Sequence, residues 1–356
     1  MNVRFVSFHN KNPEGHAVIS QNIIKSVSSQ GVNTSQVVTH GATSIKGMFS
    51  TLNAPRSGPA DIVHVLNINE FYATLSRCTS KAKIVKHVFY PYLGRVRDMP
   101  KSVAYLRIAL LRSNQIDHII TINRGLLQYL KSSGVSSKKM HYVPPPINTE
   151  CFRPMSMNNL RSKYNIPAAS KLLLYVGQIE DARGVFTLVK AFSQLTRHMP
   201  DATLLICSPE VPYEVSYRLQ LIDQIKKLNL INKVIMWGRS PAIEEVYNLA
   251  DVVVLPFTEP YSITDPPLVV LEAMACGKAV VTTPVGAIND VAINGTNAML
   301  TETRDDEQLA NVLHDTLKSN ATKIIGEEAR RTVEKRFSIS AVGEKMVNVY
   351  NQVIAD

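Results

Sequence analysis

Short apolar runs alternate along this chain with longer stretches in which apolar residues recur every three or four positions. Runs of that length read as strands and the periodic stretches as helices packed on one face. In the first half the pattern predicts strands at 3–8, 36–39, 61–66, 83–89 and 117–122, and helices at 18–30, 101–115 and 124–133. A sixth run, 140–143, ends at Pro144, Pro145 and Pro146, where three missing amide donors stop both helix and central strand. A polar stretch, 148–170, follows and reads as a linker with one short helix. A second series then begins, with strands at 171–176, 202–207, 233–237, 251–255 and 279–283 and helices at 184–198, 213–228, 241–249 and 268–275. The last helix, 338–353, carries Val342, Met346, Val349, Tyr350 and Val353 at helical spacing.

Strand and helix in strict alternation predict the α/β class, with parallel sheets rather than a sandwich or a bundle. A chain of 356 residues also exceeds what one hydrophobic core organises. The expectation is two doubly wound, Rossmann-like domains, 1–147 and 171–337, joined by the linker 148–170, with the C-terminal helix 338–356 packing back towards the N-terminal domain. Ligands of such sheets lie beyond the carboxyl ends of the strands, so functional residues should follow strands directly.

A net charge of +10 favours anionic partners. Nucleic acid is not expected among them, because there is no block of Lys and Arg and no nucleic-acid-binding signature. Cys78, Cys151, Cys207 and Cys276 are dispersed, without CxxC spacing or nearby His, which points away from zinc and disulfides and towards a reducing, cytoplasmic setting. MNVRFVSFHN lacks a signal-peptide core, and no stretch reaches the roughly 20 apolar residues of a spanning helix. Association with a membrane surface stays open.

Two segments carry the candidate chemistry. In YVGQIEDARGVFTLVKAF, 175–192, a strand runs into Gly177 and a loop, and Arg183 and Gly184 open a helix. A helix start offers amides and a positive dipole end, and a guanidinium adds a bidentate cation, which suits a diphosphate. An ordinary βα turn with a solvated arginine is the plainer alternative. In LPFTEPYSITDPPLVVLEAMACGKAVVTTPVGAIND, 255–290, a helix carries Glu272 between Leu271 and Ala273. Such a carboxylate needs a partner, either the vicinal hydroxyls of a ribose or an internal Arg or Lys.

Together these segments resemble the donor site of retaining glycosyltransferases of the GT-B fold, the glycogen-synthase-like and mannosyltransferase-like group of glycosyltransferase family 4 type. DIVHVL, DHIITIN, VPPPINTECFRP, YVG with its later RG, YNLADVVVLP and LEAMACGKAVV occur in that family's order over nearly the whole chain. The resemblance implies two Rossmann-like domains facing across a cleft and a nucleotide-sugar donor, UDP-sugar or GDP-sugar, with no further cofactor or metal. It implies that Arg183, with Gly177, Gln178 and Gly184, binds the diphosphate, that Leu268 and Val269 offer amides to the phosphates, and that Glu272 takes the ribose. His87 would approach the transferred sugar, and Gly15 would lie near donor and acceptor. A packed, non-functional histidine is the alternative at 87.

The chain departs from the family at several points. Gln178 stands where a second diphosphate-binding arginine is usual. The usual glutamate eight residues before Glu272 is replaced by Thr264, which leaves Glu259, ahead of an inserted loop, or Asp265 as the substitute. Asp265 before Pro266 also reads as a helix cap. The departures bear on the donor sugar more than on the fold. Transfer of a hexose-type sugar to a hydroxyl acceptor, a glycan, a lipid-linked molecule or a small molecule, is the implied activity. A nucleotide-sugar epimerase and a non-catalytic, donor-binding partner remain the alternatives. Arg95, Arg97, Lys101, Arg107 and Arg112 around the 101–115 helix read either as a basic face for an anionic membrane or as solvated charges of an ordinary domain helix.

Overall fold

The computed structural model describes residues 1–8, 15–39, 59–66, 73–74, 76–77, 80–89, 101–164, 166–167, 169–240, 242–260 and 265–356. The chain divides into two compact units, Met1–Asn148 with Arg336–Asp356, and Thr149–Lys335. Each is built on one parallel sheet of six strands.

The first unit contains β1 (Asn2–Phe8), α1 (Gly15–Ser28), β2 (Asn33–Thr39), β3 (Ile62–Val65), β4 (Lys83–Val88), α2 (Lys101–Arg112), β5 (His118–Thr121), α3 (Arg124–Ser132) and β6 (Met140–Tyr142). Its strand order is β2-β1-β3-β4-β5-β6. β3 and β5 are buried along their whole length, as expected of parallel strands covered on both faces. The edge strand β2 begins three residues ahead of the predicted run, because Asn33, Thr34 and Ser35 are polar and an edge tolerates them. Asn123 caps α3 by accepting from the Leu126 amide at 2.6 Å.

The second unit contains α4 (Met157–Lys163), β7 (Lys171–Val176), α5 (Val185–Leu195), β8 (Ala202–Cys207), α6 (Val215–Lys227), β9 (Val234–Trp237), α7 (Ile243–Leu249), β10 (Val252–Leu255), α8 (Leu268–Ala275), β11 (Ala279–Thr282), β12 (Met299–Leu300), α9 (Asp306–Lys318) and α10 (Ala321–Phe337). The sheet order is β12-β11-β10-β7-β8-β9. Read from β9, this is the 3-2-1-4-5-6 order of the dinucleotide-binding fold, with its switch point between β7 and β10. Residues 149–170 are bound into this unit. Buried Arg161 donates to the Leu249 carbonyl at 3.2 Å, the Ser170 carbonyl at 3.0 Å and Asp251 at 2.7 Å. Arg330 of α10 reaches the carbonyls of Thr149, Phe152 and Ala275.

The last helix, α11 (Ile339–Ala355), starts at Ser338, whose hydroxyl accepts from the Ala341 amide at 3.2 Å, and packs on α1 within the first unit. The two helices approach so closely at Gly343 that an added Cβ would lie 2.3 Å from the Ser26 carbonyl oxygen. Helices α9 and α10 and the short β12 were not predicted. Both helices carry apolar residues at regular helical spacing, Leu309, Leu313 and Leu317 in α9 and Ile325, Ala329, Val333 and Phe337 in α10, set among many charges. Among the described residues no helix is long and apolar enough to cross a membrane.

Candidate functional site

Beyond β7 the chain passes Gly177, makes the short turn Asp181–Arg183 and enters α5. Beyond the neighbouring β10 it runs through Pro256 to Glu259. These two loops flank the switch point, and hydrogen bonds stitch them together. The Thr258 amide donates to the Ala182 carbonyl at 2.9 Å, the Glu259 amide to the same carbonyl at 3.3 Å, and the Thr258 hydroxyl to the Asp181 carbonyl at 3.0 Å. At Gly184 an added Cβ would sit 1.8 Å from the Pro256 carbonyl oxygen, and φ is +73°, so only glycine fits at this start of α5.

Arg183 is half-buried and held from two sides. Its Nε donates to Glu180 at 3.2 Å and its Nη2 to the side-chain oxygen of Gln178 at 3.1 Å, while the Gln178 carbonyl accepts from the Tyr175 hydroxyl at 2.6 Å. Gln178 therefore brings no second charge to the loop; it orients the one cation already there. A guanidinium fixed beside the amides of a helix start suits a phosphate ligand.

On the β10 side, α8 opens at Leu268 with Pro267 as its cap residue. The Pro267 carbonyl accepts from the amides of Val270 and Leu271, one turn into the helix. One turn further in, the Glu272 carboxyl is pushed up from its ordinary 4.5 to about 7 by burial, against the opposing pull of the Tyr247 hydroxyl, which donates to its Oε2 at 2.9 Å. No Arg or Lys lies within 4.0 Å of it among the described residues, so the internal cation considered from sequence is not what balances Glu272. Tyr247 is fully buried.

The Asp265 Oδ1 accepts from the Ala287 amide in the turn Gly286–Asp290, which ties the entrance of α8 to the loop after β11. Glu259 lies beside the 181–183 turn, its carboxylate 3.8 Å from Arg304, whose guanidinium also pairs with Asp181 at 2.9 Å. Thr264 lies outside the described residues.

In the first unit Gly15 is the first residue of α1, and His87 sits near the carboxyl end of β4. The His87 ring is 1% exposed and stacks between His64, at 5.4 Å and 8°, and Phe89, at 4.8 Å and 11°. Neither of its nitrogens has a hydrogen-bond partner. Burial, then the neighbouring His64 and Lys86, hold its pKa well below the ordinary value, so the ring is neutral. His64 is joined to the Tyr350 hydroxyl of α11 at 2.6 Å, and buried Lys86 donates to the carbonyls of Leu66 and His87 at 2.6 Å each. Orphaned buried nitrogens are rare in folded proteins. Sequence reading missed His64, Lys86, Tyr247, Arg304 and Tyr350. Lys86 and His64 left a signal, each a polar residue inside an apolar run, KIVKHVF and DIVHVL.

Residues 156–335, just over half of the chain, match the family described as glycosyl transferases group 1. The chain belongs to that family. It is a sugar-transferring enzyme of GT-B architecture, with two Rossmann-like domains. The lipopolysaccharide 1,2-N-acetylglucosaminetransferase of Salmonella typhimurium is 26% identical over 80% of this chain and 71% of its own length. The N-acetyl-alpha-D-glucosaminyl L-malate synthase of Bacillus anthracis is 24% identical over 68% of this chain, which spans 61% of that enzyme. The match to the D-inositol 3-phosphate glycosyltransferase of Xylanimonas cellulosilytica covers only 52% of that enzyme's length. Among solved structures, Anabaena HepE in complex with UDP superposes with a TM-score of 0.83 at 16% identity, covering 99% of this chain and 100% of HepE. A sucrose-phosphate synthase from Thermosynechococcus elongatus gives 0.80 at 19%, covering 99% of each chain. At such identities the likeness is one of fold.

Proposed function

We propose that this glycosyltransferase moves a hexose-type sugar from a UDP-sugar to a hydroxyl acceptor with retention of anomeric configuration. The observation that carries the donor reading is Glu272, a carboxyl raised by burial, hydrogen-bonded by one neutral hydroxyl and placed one turn inside the helix that follows the switch point. Vicinal ribose hydroxyls donating to it would repay its desolvation. Arg183 and the starts of α5 and α8 then face the diphosphate. In the reaction the anomeric C–O bond to phosphate breaks and UDP departs with the electron pair. The acceptor oxygen forms the new bond on the same face, and its proton passes to the departing phosphate oxygen. Charge and oriented amides at the leaving group lower this barrier most. Glu259 and His87 are assigned to the hydroxyls of the reacting sugars. UDP as the nucleotide is supported by HepE, whose structures hold UDP and UDP-glucose. The second unit thus handles the donor and the first the acceptor.

A thermal-shift comparison of UDP, GDP and ADP on wild type and Glu272→Gln tests the reading. A ligand at 100 times its Kd adds about 2.7 kcal/mol of stability, a clear rise in Tm. UDP should raise the wild-type Tm and leave Glu272→Gln nearly unmoved. An equal rise in both proteins would reject the ribose assignment.

A lipid-linked acceptor at an anionic membrane is the second reading, favoured by α2, which exposes Tyr105 at 63% and Leu106 at 59% beside exposed Arg112. Equal flotation with neutral and anionic vesicles would remove it.

A further inference from the structure

Arg304 lies in the turn between β12 and α9 and has a φ of +62°. A side chain disfavours that left-handed conformation, which glycine adopts freely. Among the described residues it shares this property with Asn229 alone of the non-glycine positions. Asparagine tolerates left-handed backbone through its short polar side chain; arginine has no such ease. A strained residue kept at such a point invites the question of what its side chain does.

The guanidinium of Arg304 touches two carboxylates from two other loops. It pairs with Asp181 at 2.9 Å, in the turn that ends at Arg183, and approaches Glu259 at 3.8 Å, in the loop after β10. It therefore reaches the switch point from the far edge of the sheet, crossing the level of β11. The backbone bonds from Thr258 and Glu259 to Ala182 fix where the two loops lie, but they leave the Glu259 carboxylate, 42% exposed, to be oriented by something else. Arg304 is the cation beside it.

We propose that Arg304 is a positioning residue: it holds the Glu259 carboxylate in the orientation that receives the transferred sugar. The proposal rests on the donor reading above, in which Glu259 meets the sugar. It predicts that Arg304 matters for the sugar and not for the nucleotide, because Arg183, Glu272 and the helix amides serve the nucleotide without it.

The test uses the full chain with UDP, UDP-glucose and UDP-N-acetylglucosamine as probes, on wild type, Arg304→Gln, Arg304→Gly, Glu259→Gln and the double variant Arg304→Gln with Glu259→Gln. Arg304→Gly removes the backbone strain together with the side chain, so a folded, undamaged protein is expected. Both Arg304 variants should bind UDP as wild type does, yet bind the preferred conjugate and transfer its sugar about fivefold more weakly, the scale of a partly exposed ion pair. Glu259→Gln should show the same selective loss, and the double variant should be no worse than either single one. Equal losses for UDP and its conjugate, additive effects in the double variant, or wild-type behaviour of both Arg304 variants would each overturn the proposal while the donor site stands. A wild type that binds none of the three probes would remove the donor reading and this proposal together.

Discussion

At the carboxyl ends of β7 and β10, charged side chains come in hydrogen-bonded sets: Arg183 with Glu180 and Gln178, Glu272 with Tyr247, Asp265 with the Ala287 amide. On β3 and β4 of the first sheet the neutral rings of His64 and His87 lie nearly parallel beside the buried ammonium of Lys86, and both nitrogens of His87 are left without partners. The difference follows the chemistry each region is proposed to meet. A diphosphate is charged before, during and after reaction, so its cradle can be built from permanent charges held in place in advance. A sugar or acceptor hydroxyl is neutral, and a neutral imidazole can accept from it or donate to it without the desolvation cost of an ion.

The comparison breaks first at Arg183. Replacing it with Gln removes the fixed cation proposed to face the leaving group, and transfer should fall about 100- to 1,000-fold in kcat, the loss typical of a preorganised charge-stabilising donor. Steady-state kinetics with the preferred donor would show it. A fall of less than tenfold would mean that the helix amides alone stabilise the departing phosphate. His87→Leu is the matching change in the first unit. Leucine is close in volume and has no nitrogens to orphan, so stability should hold or rise by about 1 kcal/mol while transfer drops about 10- to 100-fold. Unchanged transfer in a more stable protein would return His87 to simple packing.

These two residues also show what a sequence can and cannot disclose. The βα alternation was legible because parallel strands covered on both faces must be apolar, and β7, β8, β10 and β11 fall within a residue of the predicted runs. Gly184 was legible as the opening of a helix, though not its reason, the Pro256 carbonyl against its α carbon. The resemblance named Arg183 and Glu272, but their partners lie far off in the chain or leave no pattern. Tyr247 is 25 residues from Glu272, and Tyr350 is 286 from His64. Arg304 reads as a surface charge until the fold brings it to Asp181. Asp265 also accepts from the Ala287 amide, 22 residues on in the turn at Gly286–Asp290, a partner that no local pattern announces.

Glu272 gives the smallest effect and the sharpest contrast with His87, because its ionisation and not its packing is at stake. Its pKa rises on folding from 4.5 to about 7, chiefly through burial. Between those values the folded protein keeps a proton that the unfolded chain has lost, so stability falls as pH rises through that window and is flat on either side. A shift of this size corresponds to at most about 3 kcal/mol, and solvent at the half-buried side chain reduces it to about 1 to 2 kcal/mol. Glu272→Gln keeps an oxygen for Tyr247 and carries no charge, so it should match wild type near pH 4.5 and exceed it above pH 7 by a few degrees in Tm. Thermal unfolding of both proteins without nucleotide, at pH 5 and pH 8, measures this directly. If the two Tm values move in parallel, the carboxyl is already balanced in the free protein, and ribose would have no desolvation left to repay.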